Sequence, residues 1–371
     1  MKSDILCIGL PQWDGNYQKP IVEILKEMSA FHRILYVEYT PTWKDTKGWK
    51  PGRLRKVVVE NGQEIWVFTP PSLFPINWLP VGRLYDRFLQ WNAEIVKKSV
   101  QQVIKQLHIQ NPICINAFQP ALGVKLNGAF GERALYYFCY DEISEAEWCK
   151  KHLARYEPRF LGEVDGVLVT SSGLYETKKK LQPNIALVQN GVESSLFKDS
   201  ISPNPQNKVI GYLGTIDDRM DVEILEKAIV QFPDYQFLFV GRVTDASVQR
   251  TLEKYANVLF TGAKSPEELT SYLAKIQIGL IPFIKNGFTK NIYPMKINQY
   301  LAYGMPVVST DFADLSDFGD LIYHTTSEGF LDALYKAMQE NTTNFWQERR
   351  DFAEGNTWKN KAIQFSNFIE L

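Results

Sequence analysis

The sequence predicts an α/β protein with two doubly wound, Rossmann-like domains that face each other across a cleft. Short apolar runs typical of buried strands alternate with segments whose apolar residues recur at helical spacing, which indicates parallel sheets covered by helices. The chain has 371 residues, more than one hydrophobic core of ordinary size accommodates. A polar stretch with prolines, residues 200–207, separates two such series and is typical of a linker.

The composition excludes several classes of protein. Hydrophobic residues make up 45% and charged residues 22% of the chain, as in soluble globular domains. The formal net charge of -1 argues against nucleic acid as a partner, because nucleic-acid binding needs a large excess of lysine and arginine. Cys7, Cys114, Cys139 and Cys149 lack CxxC spacing, so we expect reduced thiols in a cytoplasmic protein and no metal site. No apolar run has the length of a secretion signal or a membrane span.

The first domain is predicted to comprise residues 1–198. Its strands are expected at residues 4–10, 34–38, 112–116, 134–140, 164–170 and 185–188, with helices at 19–31, 85–107 and 150–161 and another after Ser171. The carboxyl ends of parallel strands meet at one edge of a sheet, where ligands bind. Asp14, Asp141 and Glu142 each follow a predicted strand, so we expect these carboxylates at that edge.

Residues 40–91 interrupt the alternation and leave two interpretations open. This segment is rich in tryptophan and in basic residues, namely Trp43, Trp49, Trp66, Trp78, Trp91, Lys44, Lys47, Lys50, Arg53, Arg55 and Lys56. One interpretation is a hairpin around Asn61 and Gly62, with the tryptophans packed inside and the lysines in solvent. The other is that the surface from Trp43 to Lys56 contacts an anionic membrane, as a peripheral protein at the inner face of the cell membrane would.

The second domain is predicted to comprise residues 199–345, followed by a helical segment, residues 346–371, that crosses back to the first domain. Its strands are expected at residues 209–215, 237–242, 258–262, 278–282 and 307–310. Ser265 and Glu268 form a capping box with Pro266 at the first helical position, which marks the start of a helix.

Residues 291–310 predict a short helix that leads into a buried strand. Pro294 suits the first helical turn, Gly304 suits the left-handed position after the helix, and Pro306 prevents its continuation. Lys296, Gln299 and Tyr303 share a narrow polar sector of this helix. A lysine beside a helix N-terminus is a ready anion site, and we expect a diphosphate there; the alternative is a solvated charge in an ordinary αβ unit.

Three other loops of the second domain follow strands and are expected at the same edge. Gly214 and Thr215 allow backbone N–H groups to approach a phosphate, Arg242 offers a guanidinium, and Gly262 and Lys264 end the third strand. Together with the helix they predict a nucleotide-diphosphate site. The expected donor-binding residues are Gly214, Thr215, Arg242, Gly262, Lys264, Asn291, Tyr293, Lys296 and Gln299.

These motifs resemble a known family. Residues 209–225, followed by the pattern from Pro294 and Lys296 through Gln299 to Gly304 and Pro306, are similar to the donor domain of GT-B fold glycosyltransferases of the bacterial glycosyl transferases group 1 or family 4-like type. In the first domain, residues 13–20, 140–142 and 189–193 are similar to segments of the same family. The resemblance covers most of the chain.

The resemblance implies a transferase that moves a sugar from a nucleotide-diphosphate sugar to a glycan, lipid-linked or other cell-surface polysaccharide acceptor, with no metal and no cofactor besides the donor. Members with this pattern often carry two glutamates eight positions apart, one near the donor sugar and one near its ribose. Here these positions hold Asn291 and Gln299. Gln299 keeps the hydrogen-bonding reach, whereas Asn291 lacks the carboxylate that is often associated with a retaining mechanism.

Sugar transfer needs charge neutralisation on the departing diphosphate, which Lys296 and Arg242 can supply. An inverting enzyme also needs a base. Asp141 is the first choice for this base, and Asp14 and Glu142 are the other candidates. His152 lies on a predicted helix, where a packing role is expected.

Three other readings remain open at this point. A sugar-nucleotide epimerase would use the same fold without an acceptor site. A non-catalytic GT-B-like subunit that partners an active transferase would account for Asn291 and Gln299. A periplasmic-type sugar-binding protein is disfavoured because no secretion signal is evident.

Overall fold

The computed structural model describes residues 3–15, 18–197, 207–340 and 343–370, so most of the predicted linker lies outside the described residues. The chain divides into two compact units. The first unit comprises Met1–Gln189 with Lys361–Leu371, and the second comprises Asn190–Asn360.

The first unit is a doubly wound α/β domain. Its elements are β1 (Asp4–Gly9), α1 (Pro20–Met28), β2 (Arg33–Val37), β3 (Arg53–Val58), β4 (Glu64–Thr69), α2 (Arg83–Gln106), β5 (Ile113–Ala117), α3 (Pro120–Leu126), β6 (Ala134–Cys139), α4 (Lys150–Leu153), α5 (Glu157–Leu161), β7 (Gly166–Val169), α6 (Ser172–Lys178) and β8 (Ile185–Leu187). Within the described residues the sheet order is β3-β4-β2-β1-β5-β6-β7-β8, and all pairs are parallel except β3 with β4. The chain order reverses between β1 and β5, so the carboxyl ends of these strands flank the crevice in which such sheets bind ligands.

The antiparallel pair confirms the hairpin interpretation. Val57 lies opposite Ile65, and the turn contains Gly62 with a φ of 76°. The expected inward packing of the tryptophans is wrong, however, because Trp43, Trp49, Trp78 and Trp91 are exposed, and Trp66 on β4 is half-buried.

The predicted helix at residues 150–161 is wrong as one element, because α4 ends at Leu153 and α5 begins at Glu157. Pro158 lacks the N–H that would donate to the carbonyl of Ala154, so a continuous helix would lose a hydrogen bond there.

The second unit is a smaller doubly wound domain. Its elements are β9 (Val209–Leu213), α7 (Val222–Gln231), β10 (Gln236–Val240), α8 (Ala246–Leu252), β11 (Val258–Phe260), α9 (Pro266–Leu273), β12 (Ile278–Ile281), α10 (Met295–Ala302), β13 (Val307–Thr310), β14 (Tyr323–Thr325), α11 (Phe330–Gln339) and α12 (Thr343–Gly355), and α13 (Trp358–Ile369) starts in it. Over the described residues the sheet order is β11-β10-β9-β12-β13-β14, all parallel. Here the chain order reverses between β9 and β12, and sheets of this kind bind ligands at the carboxyl ends of the strands that flank such a reversal.

The boundaries of the units differ from those expected from the sequence. The segment after Gln189 joins the second unit because Val192 pairs with Thr357 and a Cβ on Gly191 would collide with Trp358. Helix α12 also stays in the second unit. From Lys361 onward the chain packs in the first unit, where the Phe365 ring lies 5.6 Å from that of Phe138.

No helix within the described residues is long and apolar enough to cross a membrane. The four cysteines are buried free thiols.

Candidate donor and acceptor sites

Three glycine turns meet at the carboxyl edge of the second unit. Gly214, Gly241 and Gly262 follow the adjacent strands β9, β10 and β11. The N–H of Gly241 donates to the Gly262 carbonyl at 3.0 Å. A Cβ on Gly241 would lie 1.7 Å from the Gly214 carbonyl oxygen, so only glycine permits this approach. The predicted convergence of these loops is therefore present in the structure.

The polar residues in these turns, Arg242, Thr215 and Lys264, differ in their exposure and in their contacts. The Arg242 side chain is exposed, while its carbonyl accepts the Ile216 N–H at 2.9 Å, which fixes the turn. Thr215 is half-buried in the turn after β9. Lys264 is directed towards α9, because its Nζ lies 3.9 Å from Glu268 and 5.5 Å from the Tyr272 ring centroid. A phosphate would have to compete with these contacts for Lys264.

Helix α10 begins at the same edge, because it follows β12 at the point where the chain order reverses. Its N-cap is Pro294, so the helix starts one residue later than predicted. At its other end Gly304 has a φ of 67°, its N–H donates to Leu301 at 2.8 Å, and the Met305 N–H donates to Tyr300 at 3.2 Å. These two bonds form the Schellman motif expected from the glycine.

Lys296 lies in the first turn of α10 and is half-buried. Burial lowers the pKa of Lys296 to about 8. No hydrogen bond or ion pair joins its Nζ to any residue in the described part of the chain, and the first-turn N–H groups of Met295 and Lys296 have no recorded acceptor there either. A cation in partly desolvated surroundings beside unpaired helix N–H groups is suited to bind an anion.

The two other residues of the predicted polar sector of α10, Gln299 and Tyr303, are more buried than predicted. Gln299 and Tyr303 both lie in the interior, because α10 packs between the sheet and α12. The Ala302 carbonyl at the end of the helix accepts a hydrogen bond from Arg350 of α12 at 3.2 Å.

The loop before α10 is rigidly hydrogen-bonded. The buried Thr289 hydroxyl donates to the Ile284 carbonyl at 2.6 Å, and the Asn291 amide donates to the Gly287 carbonyl at 2.8 Å. Tyr293 is buried and stacks on Phe318 with ring centroids 5.4 Å apart. Asn291 and Tyr293 thus build the loop, and their direct contact with a donor stays a prediction.

Two residues that sequence reasoning missed hold α10 in place. Tyr300 accepts the Leu213 N–H at 2.8 Å and donates to the Gly211 carbonyl at 3.3 Å, which fastens the helix to the end of β9 beside Gly214. Gly279 makes room for this ring, since a Cβ there would lie 2.5 Å from it.

Asn298 is the second missed residue. Its amide donates to the Asn190 carbonyl at 3.0 Å and to the Tyr293 hydroxyl at 3.2 Å, and Asn190 in turn donates to the Tyr293 carbonyl at 3.0 Å. These bonds set the direction in which the chain enters α10. An asparagine inside a short helix is unfavourable, and this local conflict is the signal that could have revealed Asn298.

In the first unit, Asp14 lies in the loop after β1 with an exposed side chain. Its carboxylate is 2.9 Å from Arg55, and it lines an open cavity of about 350 Å³ together with Leu10, Pro11, Gln12, Gly15, Lys19 and Tyr39. The buried Glu38 anchors this loop, accepting the Trp13 N–H at 2.8 Å and pairing with Arg55 at 2.9 Å.

Glu142 is placed very differently from Asp14. It is buried, and both of its carboxylate oxygens lie 2.9 Å from Nζ of Lys178, which also pairs with the buried Glu157 at 2.8 Å. Although burial opposes ionisation, the Lys178 ammonium holds the pKa of Glu142 below its ordinary value. This carboxylate is thereby committed to an internal ion pair, which argues for a positioning role rather than for a base.

We expect Glu142→Gln to destabilise the first unit by about 3 kcal/mol, because the substitution leaves the buried Lys178 with Glu157 alone. The measurement is urea unfolding of the full chain, with the exposed Glu145→Gln as the matched control. An unchanged unfolding midpoint together with lost donor turnover would instead assign Glu142 a catalytic role.

Asp141 is half-buried and follows β6. Tyr140 beside it stacks on Phe118 with ring centroids 4.3 Å apart, and Phe118 adopts an unusual positive φ of 64° at the end of β5. A backbone held in this region points to a site where precise placement is needed. Asp141 therefore lies at the carboxyl edge, as expected from the sequence.

The expected packing role of His152 agrees with its surroundings. Its ring is stacked on Tyr85 at 4.3 Å, and Nε2 lies 2.9 Å from the Asn77 carbonyl oxygen.

Solved structures show the same fold. Sucrose-phosphate synthase from Thermosynechococcus elongatus superposes with a TM-score of 0.74 at 14% identity, covering 100% of this chain and 98% of that one. Anabaena HepE in complex with UDP and glucose gives a TM-score of 0.66 at 14% identity, covering 99% of each chain. The α,α-trehalose-phosphate synthase (UDP-forming) from Burkholderia vietnamiensis gives 0.71 at 10% identity, covering 100% and 97%. The chain therefore has the GT-B fold.

Sequence comparison agrees with this fold. Residues 207–340 match the family described as Glycosyl transferases group 1. A Bacillus subtilis (strain 168) protein described as teichuronic acid biosynthesis glycosyltransferase TuaH is 30% identical over an alignment of 233 residues, and the match covers 57% of this chain. The match spans 58% of that relative's length. The predicted resemblance to GT-B fold glycosyltransferases of the group 1 type is confirmed.

Proposed function

We propose that this chain transfers a sugar from a nucleotide-diphosphate sugar, bound by the second unit, to a glycan or lipid-linked acceptor in polysaccharide biosynthesis. The observation that carries the proposal is the cationic first turn of α10, a helix that Tyr300 fastens to the end of β9, just before the glycine turn at Gly214. Lys296 and the N–H groups of that turn lie where the chain order of the sheet reverses, which suits a diphosphate. The polysaccharide role follows from the name of the TuaH relative.

The departing diphosphate would be stabilised by Lys296 and Arg242. Fixed cations and N–H groups aimed at developing charge can supply this stabilisation without a metal ion. The acceptor proton would pass to Asp141, since Glu142 is held by Lys178. We propose a hexosyl donor first because the HepE structure contains UDP and glucose.

The test is a panel of nucleotide sugars, UDP-glucose first, scored by thermal shift and by slow release of the nucleotide diphosphate. We expect one donor to stabilise the protein and to be hydrolysed at the same rate with and without EDTA. Neither binding nor hydrolysis with any donor would contradict the proposal, and loss of turnover in EDTA would contradict metal independence.

A non-catalytic subunit is the second candidate function. Asn291 stands where the resemblance to the family implies a glutamate, and its amide donates to the Gly287 carbonyl within the loop. Nucleotide binding without hydrolysis or transfer would favour this candidate. An epimerised donor among the products of the panel would indicate a sugar-nucleotide epimerase instead.

A further inference from the structure

We propose that the first unit docks on an anionic lipid surface through an exposed aromatic face formed by Trp49, Phe74, Trp78, Leu84, Phe88 and Trp91, here called the α2 face. This inference does not depend on the proposed function. The α2 face also differs from the surface expected from the sequence, which ran from Trp43 to Lys56, because only Trp49 of its residues lies in that segment.

Four rings of the α2 face, those of Trp49, Phe74, Phe88 and Trp91, form a continuous cluster. The Trp49 ring lies 5.0 Å from that of Phe74, Phe74 lies 6.0 Å from Phe88, and Phe88 lies 4.9 Å from Trp91, all edge to face. Leu84, Phe88 and Trp91 project from one side of α2, since they are spaced by four and three residues. Four aromatic rings from three separate segments therefore form one cluster.

The face is built on fixed backbone. The buried Asn92 side chain accepts the Phe74 N–H at 2.9 Å and donates to the Phe74 carbonyl at 2.9 Å. The indole N–H of Trp78 donates to the Pro75 carbonyl at 3.0 Å. These bonds hold the Phe74 backbone and the Trp78 ring in position before any partner binds, which reduces the entropy lost on docking.

Much of this apolar area faces solvent. Trp78 is 69% exposed, Trp49 55%, Leu84 54% and Trp91 44%. Single exposed hydrophobic residues are ordinary, but a contiguous group of this size marks an interaction site. Tryptophan is the residue most suited to a lipid interface, because its ring is apolar and its N–H is polar.

Exposed cations lie in the same segments of the chain as residues of the face. Lys44, Lys47 and Lys50 are exposed in the loop that carries Trp49, and this loop is joined to the Phe74 segment by the Ser72 N–H, which donates to the Lys50 carbonyl at 3.1 Å. Arg83 and Arg87 are exposed on α2, and the Arg87 guanidinium lies 5.5 Å from the Trp91 ring.

Two carboxylates lie close to these cations in the chain. Asp86 is paired with Arg155, whereas the exposed Asp45 accepts hydrogen bonds from the backbone and hydroxyl of Thr42, keeps its negative charge and offsets one neighbouring lysine. Two basic residues of the surface that the sequence predicts to contact a membrane have their charge balanced by carboxylates, since Arg55 pairs with Glu38 and Lys56 pairs with Glu64. The positive charge near the α2 face therefore comes from Lys44, Lys47, Lys50, Arg83 and Arg87.

The positive charge near the α2 face favours an anionic lipid surface over a second copy of the chain. Each basic residue close to an anionic membrane raises the affinity by about fivefold, so several together favour negatively charged lipid strongly. A second copy of the chain in the same orientation would bring these like charges together and be repelled. The lipid surface is thus the occupant that both the rings and the cations match.

The experiment is sedimentation of the full chain with two kinds of vesicle, pure phosphatidylcholine and phosphatidylcholine with roughly one third phosphatidylglycerol. We expect binding to the anionic vesicles that weakens as salt is raised, and none to the neutral ones. Lys44→Glu with Lys50→Glu should reduce the affinity by more than about tenfold, and Trp78→Ser with Leu84→Ser should reduce it similarly. Tyr335→Ser with Lys336→Glu, an exposed pair on α11 of the second unit, is the matched control and should bind like the wild type.

Three outcomes would overturn the proposal. The first is no salt-sensitive binding by the wild type. The second is wild-type binding by both α2-face variants. The third is self-association that Trp78→Ser with Leu84→Ser abolishes while the vesicles remain unbound, since this would assign the face to a second copy. Far-UV circular dichroism of each variant checks that the fold is retained.

Discussion

Lys296→Ala is expected to weaken binding of the nucleotide sugar and to lower its turnover by about 100-fold or more, because the α10 site then loses its fixed cation. Donor affinity is measured by isothermal titration calorimetry with the donor found in the panel, and turnover is measured as the steady-state rate of hydrolysis of that donor. The matched control is Lys290→Ala, which removes an exposed lysine from the turn just before α10 and should change neither quantity. Thermal unfolding of Lys296→Ala should not be lowered, since the substitution removes a charge that burial disfavours.

The pH dependence of donor binding gives the same prediction a second readout. Burial lowers the pKa of Lys296 to about 8, so the free protein loses this positive charge as the pH rises through about 8. A diphosphate binds the protonated form, and donor affinity should therefore fall by up to about tenfold per pH unit above this value. In Lys296→Ala the decline should disappear. Full wild-type affinity in Lys296→Ala would refute the assignment of α10 as the diphosphate site.

Asp141→Asn is expected to lower donor turnover by about 100-fold to 10,000-fold while the donor still binds, because the amide keeps the shape but cannot take the acceptor proton. Turnover and binding are measured on the same preparation, so that a loss of binding is not mistaken for a loss of chemistry. Glu145→Gln, an exposed carboxylate in the following turn, is the control and should retain wild-type turnover.

Asp14→Asn separates the two carboxylates of the first unit that remain candidates for the base. If Asp14 acts only by holding its loop against Arg55, its substitution should leave most of the turnover. A large loss in Asp14→Asn together with an active Asp141→Asn would move the base to the cavity beside β1.

The backbone features at the candidate site were largely predictable because their signals are local. Pro294, Gly304 and Pro306 constrain the backbone wherever they stand, and the helix they enclose is present with its Schellman motif. The alternation of strands and helices predicts that loops after successive strands share an edge, and Gly214, Gly241 and Gly262 do meet there.

What could not be predicted depends on contacts between residues far apart in the chain. Asp141 and Glu142 are neighbours of the same chemical type, and a sequence pattern cannot separate them. Only the burial of Lys178 from α6 beside Glu142 makes one an internal ion-pair partner and leaves the other at the edge. Likewise the tryptophans of residues 40–91 could pack inward or outward, and this was decided by how the Phe74 segment sits on α2.

By itself the sequence determined the two doubly wound domains, the alternation of strands and helices in them and the cationic helix start at Lys296, because periodicity, proline and glycine act over a few residues. The tertiary structure decided that Tyr300 and Asn298 fix this helix, that the Asn190 segment joins the second unit, and that Gln299 is interior. These outcomes depend on which distant side chains reach a given surface, and such packing leaves no local pattern in the chain.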